Sequence, residues 1–317
     1  MKLKQIYDLA LKLGMEADPR GKTYVNKELK KEQKAYDKLD DDEKEEFDLE
    51  RLKNPYADTR ILYGDPKRDI KRALVGIDIT TGEVMLADRL EDKGKKIDLV
   101  WGHHPRGKAM AELHDVMHLQ EEFLRNLGVP INIAEGVMAK RISEVERRLM
   151  PANHTQAVDA AKILDIPIMC THTPADNIGY QFIQKYLNRK KPETIGDLIK
   201  DLKKIEEYKE GMKNGAGPKI VVGNKKSKAG KVIVKFTGGT SPSKEVYKEL
   251  SEKGIGTVVG MHVPEDHLEE IKKYHMNFVV AGHMSSDSIG MNRICDELEK
   301  KGVKIIPCSG FIRVKRK

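Results

Sequence analysis

Apolar positions recur at two periods along this chain. Leu3, Ile6, Leu9, Ala10 and Leu13 keep the spacing of a helix, which Gly14 ends. Residues 27–53 lose that stripe and are dominated by Lys, Glu and Asp, including Asp40-Asp41-Asp42-Glu43, which predicts a solvated helix pair or a mobile charged arm. From Arg60 the pattern changes. Arg72–Ile79 is a β-rich run, followed by a helix-like stretch and a second buried-strand candidate at Ile97–Trp101, the strand–helix–strand order of a parallel sheet. The alternation continues with helix-like 109–127 leading to a strand at Val129–Ala134, and helix-like 154–164 leading to Pro167–Thr171. Helix-like 176–188 leads into a lysine-rich segment. Beyond it, Lys231–Phe236, Gly256–Val259, Asn277–Ala281 and Val303–Pro307 read as strands, separated by helical stretches 243–253, 265–274 and 287–301. Turn-rich breaks fall at 213–218 and 223–230. The fold class is α/β, and no internal repeat is convincing.

At 317 residues the chain is long enough for two domains or one large α/β unit. With 39% hydrophobic and 34% charged residues it has a core-forming composition, not a disordered one. No apolar run approaches the roughly 20 residues that span a bilayer, and the first twenty residues lack the pattern of a secretory leader. Three widely spaced cysteines (Cys170, Cys295, Cys308) argue against a disulfide framework and for a reducing, cytoplasmic setting. The formal charge of +8 is unevenly spread: residues 1–65 hold 14 basic and 16 acidic side chains, whereas 185–235 hold 15 and 6. Such a segment can meet nucleic acid or an anionic substrate, but 5% aromatics is little equipment for stacking bases, so nucleic acid is not the expected partner.

The ten histidines all lie between positions 103 and 283, several of them just past predicted strands. Ligands of open α/β sheets bind outside the carboxyl ends of the strands, so these positions are the ones to read chemically. His103 and His104 follow the Ile97–Trp101 run. His172 and Asp176 follow Pro167–Thr171, where Asp176 is either a carboxylate ligand or a helix N-cap. His283 and Asp287 follow Asn277–Ala281 at a spacing suited to chelation on a helix, unless Ser286 or Asp287 caps that helix. Together His103, His104, His283, Asp176 and Asp287 offer three imidazoles and two carboxylates. Mixed N/O ligation of this kind suits Zn²⁺, Fe²⁺, Mn²⁺, Co²⁺ or Ni²⁺. Five ligands exceed what one open tetrahedral site needs, whereas two ions sharing a bridging carboxylate would use them all. Cys170 is an alternative soft ligand. His114 and His118 stand four apart, as in His-Glu-x-x-His metalloproteases, but aspartate replaces the general-base glutamate. Lining of the metal pocket is the better functional expectation for this pair.

Three segments resemble the NIF-three-like family, also known as GTP cyclohydrolase I type 2 homologues: Tyr63-Gly64-Asp65-Pro66, Leu74–Thr80 and Asp98–Pro105 with its His103-His104-Pro105. The family's His-Thr-x-x-Asp is matched by His172–Asp176 and its closing Gly-His-x-x-x-Glu by Gly282–Asp287, with aspartate for glutamate. Its glycine-rich strand exit looks like Phe236–Thr240. The resemblance covers about residues 60–317. It implies two α/β lobes, the second inserted into the first: residues 60–190 with 277–317 forming the metal lobe, 191–276 the insert, and 1–59 a helical, charged extension. It also implies a dinuclear metal site held by His103, His104, Asp176, His283 and Asp287, facing the interior of a ring-shaped homohexamer.

The function expected on this basis is a metal-dependent hydrolase acting on a small anionic or nucleotide-like substrate. Asp78 or His172 would orient ligands or shuttle protons. Lysines of the inserted lobe, or backbone N–H groups of Thr237–Thr240, would hold phosphate. No Gly-x-x-x-x-Gly-Lys-Ser/Thr loop is present, which excludes nucleotide hydrolysis by that route. The alternative is a non-catalytic metal-binding scaffold or metal-delivery protein.

Overall fold

The computed structural model describes residues 1–316. Its strands, in chain order, are β1 (Thr59–Tyr63), β2 (Arg72–Gly76), β3 (Leu99–Gly102), β4 (Ile168–Thr171), β5 (Lys219–Val222), β6 (Lys231–Lys235), β7 (Ile255–Gly260), β8 (Asn277–Val280) and β9 (Lys304–Cys308). They form two sheets, of order β1-β4-β3-β2-β9 and β5-β8-β7-β6. In the first sheet β2, β3, β4 and β9 run parallel, and β1 pairs antiparallel with β4. The second sheet repeats the plan: β6, β7 and β8 are parallel and β5 pairs antiparallel with β8. The four core strands of each sheet therefore share one order, a duplication of topology that no sequence repeat betrays.

The α/β class stands, but three segments differ from the sequence reading. First, β8 belongs to the second sheet, since Phe278 and Val279 pair with Val258 and Val259 of β7. A lobe boundary at 276/277 therefore falls one strand too early. Second, Val129–Ala134 is not a strand. Pro130 caps a helix at Ile131–Leu149, whose buried Ala134, Met138, Ile142 and Val145 keep a helical period. Proline suits a helix start because its missing N–H is not needed there. Third, residues 1–59 are not wholly an extension. The helix Leu3–Glu16 buries Leu3, Ile6 and Ala10 in the same core as Val75, Trp101 and Ile294. Its Gly14 lies so close to Pro174 that a Cβ there would sit 2.5 Å from the proline Cα. Only the part from Lys22 onward is the expected solvated helix set, Lys22–Tyr36 and Asp41–Glu46, with Val25 the one buried residue of the two.

The lysine-rich segment is mostly surface on the helices Ile195–Leu202 and Glu206–Lys213 and on β5, with an amphipathic face packed inward through Ile195, Leu198 and Leu202. Among the described residues no helix is long and apolar enough to cross a membrane. The lobes meet where the helix following β4, Thr173–Lys190, packs on the helix following β8, His283–Lys300. A Cβ on Gly290 would stand 1.9 Å from the Ala175 carbonyl oxygen, and one on Gly179 would stand 3.3 Å from that of Ser286. Small residues let the two backbones touch, and this contact draws Asp176 and Asp287 together.

Candidate metal centre

Each donor is placed by a strand end. After β3 the chain turns, with the His103 and His104 amides donating to the Gly76 and Ile77 carbonyls. His103 is fully buried, and its Nδ1 faces the Thr171 carbonyl at 3.1 Å. A carbonyl can only accept, so Nδ1 carries a proton and the ring turns Nε2 inward. Thr171 is itself fixed by the Trp101 indole N–H, 2.9 Å from its Oγ1. His104 pairs through Nδ1 with Asp78, 2.8 Å away, and likewise turns Nε2 inward. His172 pairs through Nδ1 with Asp58 at 2.7 Å. Outward Nδ1 held by a carbonyl or carboxylate, with inward Nε2 free, is the arrangement of ligating histidines.

The carboxylates come from the two packed helices. Asp176 lies in the first turn of Thr173–Lys190, where the N-cap is His172, so the aspartate is no cap. Asp287 lies one turn into His283–Lys300. Its N-cap is Gly282, at φ 110°, so neither Ser286 nor Asp287 serves as cap. A side chain at Gly282 would also meet the Ala216 carbonyl, with Cβ 2.6 Å from the oxygen. Asp287 Oδ1 is 3.6 Å from His103 Nε2, whereas Oδ2 is 3.4 Å from His104 Nε2 and 3.5 Å from His283 Nε2. Asp176 reaches His103 through Oδ1 at 3.3 Å and His172 through Oδ2 at 3.7 Å.

Four of these atoms are buried without a hydrogen-bond partner: His103 Nε2, Asp176 Oδ1 and both Asp287 oxygens. Leaving such groups unpaired is costly, and their convergence fits a cation. Donor atoms within 4.8 Å of one another form three groups, His103/His104/His172, His104/His283/Asp287 and His103/Asp176/Asp287. The electrostatics agree. Burial alone would lower the His103 pKa, but the Asp287 and Asp176 carboxylates outweigh it and hold the pKa well above the usual histidine range. His104 is raised likewise: burial is outweighed by the nearby Asp287 carboxylate and the hydrogen-bonded Asp78. Asp287 would be raised by burial, yet the surrounding imidazoles hold it well below the usual carboxylate range. The carboxylates thus favour positive charge at His103 and His104, charge that a metal ion would supply instead.

Six of the seven residues expected from the sequence, all but Asp78, converge on this centre. Asp78 stands outside it as the partner of His104, and that hydrogen bond lowers its pKa. His172 lies inside it. Other expectations are corrected. Cys170 points to the opposite side of β4, its Sγ against the Asp58 carbonyl, and burial raises its pKa to about 11. His114 and His118 lie on a 3₁₀ turn, not an α-helix, with His118 exposed beside Glu121 and His114 near Glu146. Neither joins the centre. The glycine-rich exit Phe236–Thr240 is a lobe contact: Gln120 donates to the carbonyls of Gly238 and Thr240, and Thr237 Oγ1 donates to Asn177.

Three residues escape sequence reading. Asp58 is separated from its histidine by 114 positions and falls within the supposed extension. Lys235 looks like one more lysine of a basic segment, yet burial brings its pKa down to about 7. His262, just past β7, sets its ring at a tilt of 53° to that of His283, centroids 5.1 Å apart, and burial together with His283 and Lys235 lowers its pKa to about 4. Its place after a strand is the only signal that could have marked it.

Two α/β lobes of this topology define a fold class that solved structures share. A NIF3 superfamily protein from Sphaerobacter thermophilus is similar at 28% identity and a TM-score of 0.71, over 80% of this chain and 91% of that one. Reduced HcgD from Methanocaldococcus jannaschii is similar in fold, at 16% identity and a TM-score of 0.50, over 78% of this chain and 87% of that one. No family model and no curated protein sequence matches the chain. By fold and by the residues at its strand ends, the chain is similar to NIF3 superfamily structures, as a divergent NIF3-like protein.

Proposed function

We propose that this chain binds two divalent metal ions and hydrolyses a small anionic substrate. The observation that carries the reading is Asp287, a fully buried carboxylate with no hydrogen-bond partner, whose two oxygens face different histidines. One set of donors is His103, Asp176 and Asp287 Oδ1; the other is His104, His283 and Asp287 Oδ2. When bound, such ions acidify water to near neutrality and stabilise developing negative charge on an oxyanion. The protein supplies the rest. Asp58 and Asp78 fix the tautomers of His172 and His104, and the Thr171 carbonyl fixes that of His103. His172 borders the adjoining cavity and keeps Nε2 toward the centre, so it is placed to move a proton during hydrolysis.

Elemental analysis of purified protein tests the reading, on wild type and on the His103→Ala/His104→Ala double variant, followed by turnover of phosphate-ester and cyclic-amide substrates with Mn²⁺ or Zn²⁺. About two transition-metal ions per wild-type chain, lost in the variant, together with turnover that fails in His172→Gln, is the expected result. A wild type that takes up none of these metals overturns it. Tight metal binding with no turnover across the panel moves the reading to a metal carrier.

A further inference from the structure

The exits of β6 and β7 carry Lys235 and His262 to the wall of a cavity whose facing wall holds His172, Asp176 and His283. The cavity measures about 70 Å³, and its polar end lies against the His/Asp centre. An ammonium has three donors, and Lys235 Nζ spends one, on the Thr237 carbonyl at 2.8 Å. No carboxylate pairs with it among the described residues, although buried charges are ordinarily paired. The glycine turn beside it is not free to cradle an anion in its place. A Cβ on Gly238 would lie 2.4 Å from Gln120 Cγ and one on Gly239 2.9 Å from Val116 Cγ2, so the positive φ values of 98° and 81° serve close packing.

We infer that Lys235 is the substrate's anion contact: it takes a phosphate or carboxylate group at the second-lobe wall while the bond to be cleaved lies at the His/Asp centre. His262 stands beside that contact. With Ser241 Oγ 3.3 Å from its Nδ1, it offers a second hydrogen-bonding group at the same wall. The charge balance points the same way. Asp58, Asp78, Asp176 and Asp287 together balance two divalent ions and leave the lysine without a counter-charge, so an occupied centre with a charged lysine calls for an anion. The inference rests on the proposed function for where the reacting end lies, and on Lys235 alone for where the anion lies.

The test is calorimetric titration of the full chain, metal-free and zinc-loaded, with inorganic phosphate and separately with malonate. Lys235→Met should weaken the preferred anion at least tenfold in both forms, and Lys235→Arg should restore most of the affinity. Metal content and melting temperature should stay at wild-type values in both variants. Tighter phosphate assigns a phosphoryl substrate; tighter malonate assigns a carboxylate. Wild-type affinity in Lys235→Met, or no binding of either anion by wild type, overturns the inference. Should the wild type take up no zinc, the dinuclear reading fails, while the metal-free comparison of Lys235 variants still decides this one.

Discussion

The two lobes are built on one plan and differ in what the plan carries. Within the four strands they share, each places an antiparallel strand beside the last of three parallel ones, the first lobe adding β9 at the far edge, and each sends that last strand into a helix that opens with histidine and, four residues on, aspartate. In the first lobe His172 is gripped by the buried Asp58. In the second, His283 has no such outer carboxylate among the described residues and leans on His262. Past the neighbouring strands the contrast sharpens: β3 delivers His103 and His104, whereas β6 and β7 deliver Lys235 and His262. The first half concentrates metal donors; the second contributes one donor pair and a cation. A shared topology fixes where side chains meet, and the residues at the strand ends decide what they do there.

The largest expected effect tests the one residue both donor sets share. Asp287→Ala should remove metal from both sets, lowering affinity by more than the ~10–100-fold typical of losing an outer partner. Asp176→Ala should empty the His103 set and leave the other, so elemental analysis should find about half the wild-type content. Equal loss in both variants would end the two-set description. Next is the contact that joins the lobes. Gly290→Ala forces a Cβ onto the Ala175 carbonyl and should cost about 3 kcal/mol in urea unfolding, the upper part of the range for overpacking. An unchanged midpoint would show that the helices are free to part.

A smaller effect separates the two outer carboxylates. Asp58→Asn, at a fully buried position, should weaken metal affinity by ~10–100-fold. Asp78→Asn, whose side chain is 49% exposed, should weaken it less, because solvent screens the exchange; competition with a fluorescent chelator reads both. The smallest effect is on pH dependence. His103 and His104 are raised in the folded, metal-free chain. Their stabilising contribution is complete below the unfolded value near 6.5 and fades as pH rises through the folded values. Melting of metal-free protein should therefore drop from pH 6 to pH 8, while the increment from added Mn²⁺ should grow over the same interval as protons cease to compete. A metal increment that shrinks with pH would contradict the assignment of these rings as ligands.

Much of this was legible beforehand because local signals coincided with chemistry. Strand runs end at His103-His104, His172 and His283, and aspartates follow at helical spacing, so period and residue type pointed the same way. What stayed hidden depends on pairing across the fold. Asp58 meets His172 only once β1 has paired with β4, and Lys235 is told from fourteen other basic residues of its segment only by the direction its strand gives it. The β8 misassignment has the same origin, because a strand of four residues carries no record of which sheet it joins. The duplication is invisible for a related reason: it resides in strand order, which very different residues can satisfy.

The contact at Gly290 has a consequence for how the molecule comes into being. Asp287 is separated from His103 by more than half of the chain, and the donors of each set lie on both sides of the whole second lobe. Contacts between such distant positions close late, after the loop entropy of everything between them has been met. A form with the first sheet complete but the lobes apart holds His103, His104 and His172 and lacks His283 and Asp287, so both donor sets wait for the lobes to dock.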